Sequence, residues 1–312
     1  MWHARAGYME PTDEDARQRP ETGVPGGAPP PSWVARLRED GERLAERAQA
    51  ERMRHRSVDA LFEMVERDSE VGGGIIAGAL AYRLFIWLLP VALIAVAGLG
   101  FAANASSESP EEAAESLGLE GLVSSSIANA ANSPNRWYAL LVGIPVLVWA
   151  TRSVLRVLIG AHRLVWTDDR TMAPKPRLVS SLRLLVLLLC FGVVSTTASA
   201  VRASAAGPGA LATVVSLVPY AGLWLLVTMR VPHRDAPWTA LIPGAAVFAV
   251  GLQLLHVVLV YVITPWALAK QGTYGALGVG AALLVSLFLV SRLAVAAAVV
   301  NATLWARQAR TV

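Results

Sequence analysis

The chain has 312 residues, of which 54% are hydrophobic and 16% are charged. A soluble domain of this length could not bury so much apolar sequence, so the composition excludes an ordinary globular protein and predicts an all-α, polytopic membrane protein. The single cysteine, Cys190, also excludes an intrachain disulfide bond and a metal–thiolate cluster.

The net charge of +4 is unevenly distributed along the chain. Residues 1–70 carry 11 basic and 15 acidic side chains, a balance of −4, whereas residues 71–312 carry 16 basic and 8 acidic side chains, a balance of +8. Because the excess positive charge belongs to the apolar part of the chain, nucleic-acid binding explains it poorly, and no nucleic-acid partner is expected.

The segment before the first apolar stretch divides into two parts. Residues 1–31 contain no apolar core and are rich in proline and glycine near their end, so we expect a disordered tail rather than a secretory signal peptide. Residues 32–74 are expected to form charged and amphipathic cytoplasmic helices. Within them, apolar side chains recur with the spacing i, i+3, i+4 and i+7 at Val58, Leu61, Phe62 and Val65. This pattern predicts a helix from Ser57 to Asp68 at the inner membrane interface, with glycines 72–74 as the bend that follows it.

The membrane domain is predicted to extend over residues 75–305, followed by a short cytoplasmic tail at 306–312. It contains six apolar stretches that reach the roughly 20 residues a spanning helix requires. They cover residues 75–103, 138–160, 178–201, 210–229, 239–263 and 277–304. If the N-terminus is cytoplasmic, the inner connections and flanks hold 12 Lys and Arg residues against 3 outside, namely Arg136, Arg202 and Lys270. This bias predicts that both termini are cytoplasmic.

The longest outer connection is the acidic loop 104–137. Ser109, Pro110 and Glu112 form a good helix start within it, because serine caps, proline suits the first turn and glutamate completes a capping box. We expect that a homo-oligomeric contact or an envelope partner would use this loop.

Every charged residue well inside a predicted span is an arginine. With a rise of about 1.5 Å per residue, all of them fall in the cytoplasmic half of the membrane; they are Arg83, Arg152, Arg156, Arg183 and Arg292. Since no span contains a carboxylate, the expected partners of the deep arginines are carbonyl groups, water or a bound anion such as a phosphate.

We therefore predict a cytoplasm-facing site that binds an anionic amphiphile or membrane lipid. Its candidate residues are Arg83, Arg152, Arg156, Arg292 and the adjacent Tyr82. The alternative is that an arginine lays its stem along lipid and places its guanidinium among the inner headgroups, which suits Arg156 and Arg183.

Prolines and glycines mark places where the spans bend or pack closely. Pro90 and Pro243-Gly244, together with Pro145 and Pro219, are predicted to interrupt their spans and to act as hinges. The alternative is that they form static bends. Tyr274, Gly275 and Gly278 are predicted to lie where the last span leaves the outer loop, and to let this span pack closely against its neighbours.

The sequence offers no candidate catalytic or metal site. The five histidines are isolated, and the acidic residues after position 120 are Asp168, Asp169 and Asp235, so the clustered ligands of a metal-dependent hydrolase are absent. No Gly-x-Ser-x-Gly or Walker motif occurs. We therefore expect neither enzymatic activity nor a cofactor. His256, beside Gln253, is a possible proton carrier within a span, and the alternative is a hydrogen bond to a neighbouring helix.

Several short motifs occur together in the apolar array. The pair Ala81-Tyr82 is followed eight residues later by Pro90, and the second span contains Trp149-Ala150-Thr151. The later spans contain Pro243-Gly244-Ala245, Tyr274-Gly275-Ala276-Leu277-Gly278 and Asn301-Ala302. In this order, over residues 57–305, they resemble the YihY/BrkB family of bacterial inner-membrane proteins, formerly labelled a ribonuclease family. The resemblance implies a multi-pass protein of the bacterial plasma membrane.

The chain departs from the family pattern at several positions. Arg83 stands where the family often has a second tyrosine, and Trp87 and Leu89 replace residues of its first-span signature. Near the end, Ala297-Ala298-Val299 stands where a Gly-Ala-Glu sequence is common, so a mechanism that needs this carboxylate does not transfer. The sequence thus predicts a transporter or flippase-like carrier, and the alternative is a non-transporting envelope scaffold.

Overall fold

A computed structural model describes the chain at residues 36, 39, 40, 43, 52, 54–106, 136–171, 173–204, 209–259 and 264–310. Contacts divide the chain into two compact units, residues 1–59 and 60–312, and the apolar helices belong to the second. The tail predicted at 1–31 and most of the outer loop predicted at 104–137 lie outside the described residues.

The described segments from residue 54 onward are mostly helical and contain no β-strand. The α-helices are α1 Arg56–Glu70, α2 Gly73–Ser106, α3 Arg136–Thr167, α4 Leu178–Ser204, α5 Gly209–Thr228, α6 Ile242–Val258 and α7 Thr264–Arg310, with a short 3-10 helix, Trp238–Leu241, directly before α6. The all-α class predicted from the composition is confirmed for this part of the chain.

Helix α1 covers the segment for which the amphipathic spacing predicted a helix. Leu61 and Val65, on its apolar face, are 61% and 68% exposed. The helix ends in a turn where Gly72 has a φ of +66°, a backbone conformation that glycine adopts without strain. Gly72 therefore forms the bend, whereas Gly73 and Gly74, which were also predicted to belong to it, already lie in α2.

Helices α2 to α7 pack in a ring. Each helix contacts the next one in chain order, α7 closes the ring against α2, and α7 also contacts α3. Residues from all six helices consequently line one central cavity, whose wall is mostly leucine, valine and aromatic side chains. The core is therefore shared by the whole ring.

Five of the ring helices are long and apolar enough to cross a membrane. The corresponding segments are Gly73–Gly98, Leu140–Thr167, Leu178–Ala198, Trp238–Val258 and Gly280–Arg310. The predicted span 210–229 coincides with α5, whose described apolar segment, Val214–Thr228, is shorter. Many large apolar side chains point outward, including Leu141, Val193 and Val218, as expected where the surroundings are lipid. The helices thus have the character of a multi-pass membrane protein.

Two contacts join motifs that lie far apart in the sequence. The indole Nε1–H of Trp87 donates to Thr151 Oγ1 at 2.9 Å, which links α2 to α3. The backbone N–H of Gly244 donates to Asn301 Oδ1 at 2.7 Å. Because Gly244 lies in the first turn of α6, where backbone N–H groups lack intrahelical partners, Asn301 caps α6 from α7.

The later prolines and glycines differ in part from expectation. Pro243 lies in the first turn of α6, just after the 3-10 helix, where its missing N–H costs no hydrogen bond. Helix α7 begins at Thr264 and not after the outer-loop motif, so Tyr274, Gly275 and Gly278 lie inside a continuous helix. The prolines predicted to interrupt earlier spans, Pro90, Pro145 and Pro219, likewise lie within α2, α3 and α5.

Candidate functional site

Three of the predicted site residues meet in one groove on the membrane domain. Arg83 of α2 and Arg152 and Arg156 of α3 line it together with Lys175, which belongs to the connection between α3 and α4. The groove has a volume of about 640 Å³, within the range of about 300–1,000 Å³ that is typical of small-molecule sites. We call it the basic groove.

Local structure brings these side chains together. Arg152 and Arg156 are four residues apart, so they project from the same face of α3. Arg152 Nη2 donates to the backbone oxygen of Pro176 at 3.1 Å, which holds the α3–α4 connection against α3 and brings Lys175 to the rim. Arg83 and Arg156 are half-buried, whereas Arg152 is exposed. The groove thus has two half-buried basic groups, Arg83 and Arg156, and two exposed ones, Arg152 and Lys175.

The described lining of the basic groove contains no aspartate or glutamate. Its four cationic groups repel one another, and a partly desolvated wall screens this repulsion less than bulk water does. Guanidinium groups present several N–H donors in a planar fork that matches phosphate or carboxylate oxygens. An anion therefore suits the groove both by charge and by hydrogen-bond geometry.

Tyr82, the fourth predicted site residue, is exposed and does not line the groove. The guanidinium carbon of Arg83 lies 5.8 Å from the centroid of the Tyr82 ring, which is within the range of a cation–π contact. Tyr82 therefore adjoins the site through Arg83.

Arg292 has a different environment from the one expected. Its Nη1 donates to Asp68 Oδ1 at 2.7 Å, and its Nη2 donates to Asp68 Oδ2. The expectation that a deep arginine must pair with carbonyl groups, water or a bound anion is therefore wrong for Arg292. The carboxylate comes from α1, outside the apolar stretches. Arg292 does not line the basic groove.

Close packing fixes the Asp68 carboxylate against the start of α2. A Cβ added at Gly73 would lie 2.2 Å from Asp68 Oδ1 and 2.8 Å from its Cγ, so any other residue here would displace the carboxylate from its position. The side chain of Asp68 is 19% exposed and that of Arg292 is 37% exposed. The glycine bend thus places an acid of α1 opposite an arginine of α7.

A second group of ion pairs holds α1 near the end of α7. Glu63 accepts hydrogen bonds from Arg307 Nη1 at 2.8 Å and from Arg310 Nη2. Burial raises the pKa of Glu63, but the hydrogen bonds from Arg310 and Arg307 outweigh it and hold the pKa below its ordinary value. Arg67 Nε also donates to the carbonyl of Val165 at 3.2 Å, near the end of α3, where helix carbonyls lack partners. Helix α1 is therefore attached to the C-terminal ends of α3 and α7.

The remaining candidates lie apart from the groove. Arg183 is exposed and lines a separate, smaller cavity of about 260 Å³ with Arg230. Gln253 Nε2 donates to Ser216 Oγ, so this amide joins α6 to α5. His256, next to it on α6, is half-buried. Among the described residues, no group of three or more His, Cys, Asp or Glu side chains is arranged to hold a metal ion.

One comparison with known protein families shows to which family the chain belongs. Residues 65–311 match the family described as Virulence factor BrkB, which covers most of the chain. The chain belongs to the BrkB family. This family is not known as a family of enzymes. The chain shows no significant match to a curated protein or to a solved structure.

The BrkB motifs explain packing better than chemistry. The pair Gly244–Asn301 joins two motif segments by a hydrogen bond, and the motif residue Thr151 accepts one from Trp87, which departs from the family signature. Val299, at the position for which the resemblance implies a glutamate, is 2% exposed and packs in an apolar cluster with Trp166 and Leu241. A carboxylate at this position would be buried among apolar side chains, so its absence here agrees with the surroundings.

Two residues of the site region were not selected from the sequence. Asp68 falls in the segment predicted as an interfacial helix, outside the spans in which partners of the arginines are expected. Lys175 falls in a connection, where its charge bears only on the predicted orientation. The sequence does contain a signal for both residues. Each lies within a few residues of the end of a predicted span, where its side chain can reach the ends of the bundle helices.

Proposed function

We propose that this BrkB protein is a transporter or flippase-like carrier that recognises the anionic headgroup of a lipid or similar amphiphile in the basic groove. The observation that carries the proposal is the convergence of Arg83, Arg152, Arg156 and Lys175 on one groove whose described lining contains no acid. Phosphate is the headgroup chemistry that such a set of donors binds best.

The topology that accompanies this proposal is six spans with both termini in the cytoplasm of a bacterial cell. Five helices satisfy the length and composition of a span, and α5, with 20 residues, supplies the sixth. The excess of Lys and Arg in the inner connections supports the orientation. In this arrangement the connection that carries Lys175 is cytoplasmic, so the basic groove opens toward the inner leaflet.

A binding experiment tests the headgroup assignment. The full chain is purified in detergent, and the affinities for acyl-labelled phosphatidylglycerol and phosphatidylcholine are measured by fluorescence polarisation. We expect tighter binding of phosphatidylglycerol. The double variant Arg83→Gln/Arg156→Gln should weaken this binding at least tenfold, because a hydrogen bond to a charged group contributes about 1.5–3 kcal/mol and about 1.4 kcal/mol corresponds to a factor of ten.

Arg183→Gln is the matched control, since Arg183 is an exposed arginine of α4 that lines a different cavity. It should leave the preference for phosphatidylglycerol unchanged. Equal affinity for the two lipids, or an equal loss in the double variant and the control, would favour the scaffold interpretation over a headgroup site.

A further inference from the structure

The ring of helices forms a second, partly open cavity that is chemically unlike the basic groove. It has a volume of about 370 Å³, and residues from all six ring helices line it. Its wall is apolar except for a few side chains, among them Trp224 of α5 and Ser291 of α7. We call it the central cavity.

Two residues that line the central cavity each carry a buried polar atom without a hydrogen-bond partner among the described residues. They are Trp224 Nε1 and Ser291 Oγ, and the residues are 6% and 0% exposed. Other hydroxyl groups of the ring helices satisfy themselves locally, as Thr151 does by donating to Leu147 O and Ser286 by donating to Ala282 O. Ser291 makes no such bond, although it also lies inside a helix.

Packing holds the Trp224 indole in place. Its ring stacks on Phe248 with a centroid separation of 4.0 Å and an angle of 11° between the ring planes. Phe248 in turn meets Phe191 edge to face at 6.0 Å. The indole therefore cannot rotate toward another acceptor without breaking this stack. Trp87, also in the cavity wall, has its N–H satisfied by Thr151.

We propose that the central cavity binds the ester-linked acyl chain of a membrane lipid, with the ester carbonyl accepting a hydrogen bond from Trp224 Nε1–H or Ser291 Oγ–H. An apolar wall with a few fixed polar groups is the usual composition of a small-molecule site. Indole N–H is a donor only, so its partner must be an acceptor. The carbonyl oxygen of an ester supplies that acceptor on a hydrocarbon body.

The position of the cavity agrees with a lipid occupant. The cavity is partly open, and its lining includes Leu189 and Gly192 of α4, which are exposed. A membrane lipid would reach the cavity from this side. The proposal does not depend on the basic groove, because neither its charge nor its arginines take part.

Photolabelling of the full chain tests the proposal. The chain is reconstituted in nanodiscs of phosphatidylcholine that carries a diazirine near the ester end of one acyl chain, and labelled peptides are mapped by mass spectrometry. We expect labelling of the peptides that contain Trp224 and Ser291, and stronger labelling by the ester lipid than by its ether-linked analogue. Trp224→Phe combined with Ser291→Ala should remove this preference.

A variant that blocks the central cavity provides a second test of the proposal. Gly192→Phe places a large side chain in the cavity wall where an added Cβ meets no atom within 4 Å, so it should lower labelling of the cavity peptides at least fivefold. Gly222→Phe is the matched control, because Gly222 of α5 is also exposed and unobstructed but does not line the cavity.

Equal labelling by ester and ether lipids in the unaltered chain, or labelling unaffected by Gly192→Phe, would overturn the proposal. The comparison of the two lipids uses the unaltered chain, so it decides the question even if a variant fails to fold. Since phosphatidylcholine is zwitterionic, these results are independent of the preference for anionic headgroups. Failure of the acyl-chain site and failure of the proposed function are therefore distinguishable.

Discussion

Asp68 and Arg292 form a bidentate ion pair, although the two residues are 224 positions apart in the sequence. The pair joins α1 to α7, and it gives a counter-charge to an arginine deep in the last apolar helix. An unpaired arginine at the centre of a bilayer costs about 2.5–3.5 kcal/mol on insertion scales. The pair therefore neutralises a charge of α7 with a carboxylate of α1.

Removing either partner should destabilise the protein. We expect Arg292→Gln and Asp68→Asn each to cost about 1–2 kcal/mol, less than the loss of a fully buried partner because both side chains are partly exposed. The midpoint of thermal unfolding in detergent measures this loss. In a double-mutant cycle the combined variant should cost less than the sum of the two single changes. Additive effects would show that the pair contributes nothing to stability.

Gly73 provides a separate test of the same contact. Gly73→Ala places a Cβ 2.2 Å from Asp68 Oδ1, so the carboxylate must move away from Arg292. Gly74→Ala is the matched control, because a Cβ at that position meets no atom within 4 Å. We expect a lower unfolding midpoint for the first variant, and an unchanged or higher one for the second, since alanine favours helix over glycine. Identical midpoints would contradict the close packing of Asp68.

The attachment of α1 to the end of α7 should depend on pH. Burial raises the pKa of Glu63, but the hydrogen bonds and charges of Arg310 and Arg307 together hold it below its ordinary value in the folded protein. A depressed pKa contributes stability above the unfolded value, and this contribution is lost as the pH falls through the folded value. Between about pH 6 and about pH 3, the unaltered chain should therefore lose more stability than Glu63→Gln. Thermal unfolding across this range measures the difference, and parallel pH profiles would contradict it.

The contact between α6 and α7 gives a fourth prediction. Gly244→Ala would place a Cβ 2.3 Å from Ala297 O and 2.5 Å from Asn301 Nδ2, so the helices must separate. Asn301→Ala removes the acceptor that caps Gly244 N–H and should cost about 1–2 kcal/mol. Gly222→Ala, at an unobstructed helix position, serves as control. The fraction of each variant that elutes as folded protein after heating measures the effects, and a tolerated Gly244→Ala would contradict the close approach.

Much of the architecture follows from the sequence because its signals are local. Length and apolar character predict the helices, and the i, i+3, i+4, i+7 spacing with three following glycines predicts α1 and its bend. The positions of Arg152 and Arg156, one turn apart on α3, also follow from helix geometry. For these elements the chain itself contains all the information that the prediction needs.

The partners of the arginines do not follow from the sequence, because pairing depends on which helices meet. Asp68 lies outside every apolar stretch, and only the ring places α1 beside α7. The start of α7 at Thr264 was missed for a different reason. Polar residues such as Lys270 and Gln271 lower the hydropathy of its first turns, although they do not prevent a helix.

The most direct test of the transport proposal is a measurement of lipid movement in liposomes. The full chain is reconstituted with acyl-labelled fluorescent phosphatidylglycerol, and dithionite then reports how fast label from the inner leaflet becomes accessible outside. We predict faster exposure than in protein-free liposomes, and a return toward the protein-free rate for Arg83→Gln/Arg152→Gln/Arg156→Gln but not for Arg183→Gln. A triple variant as fast as the unaltered chain, or no acceleration by the unaltered chain, would contradict the proposal.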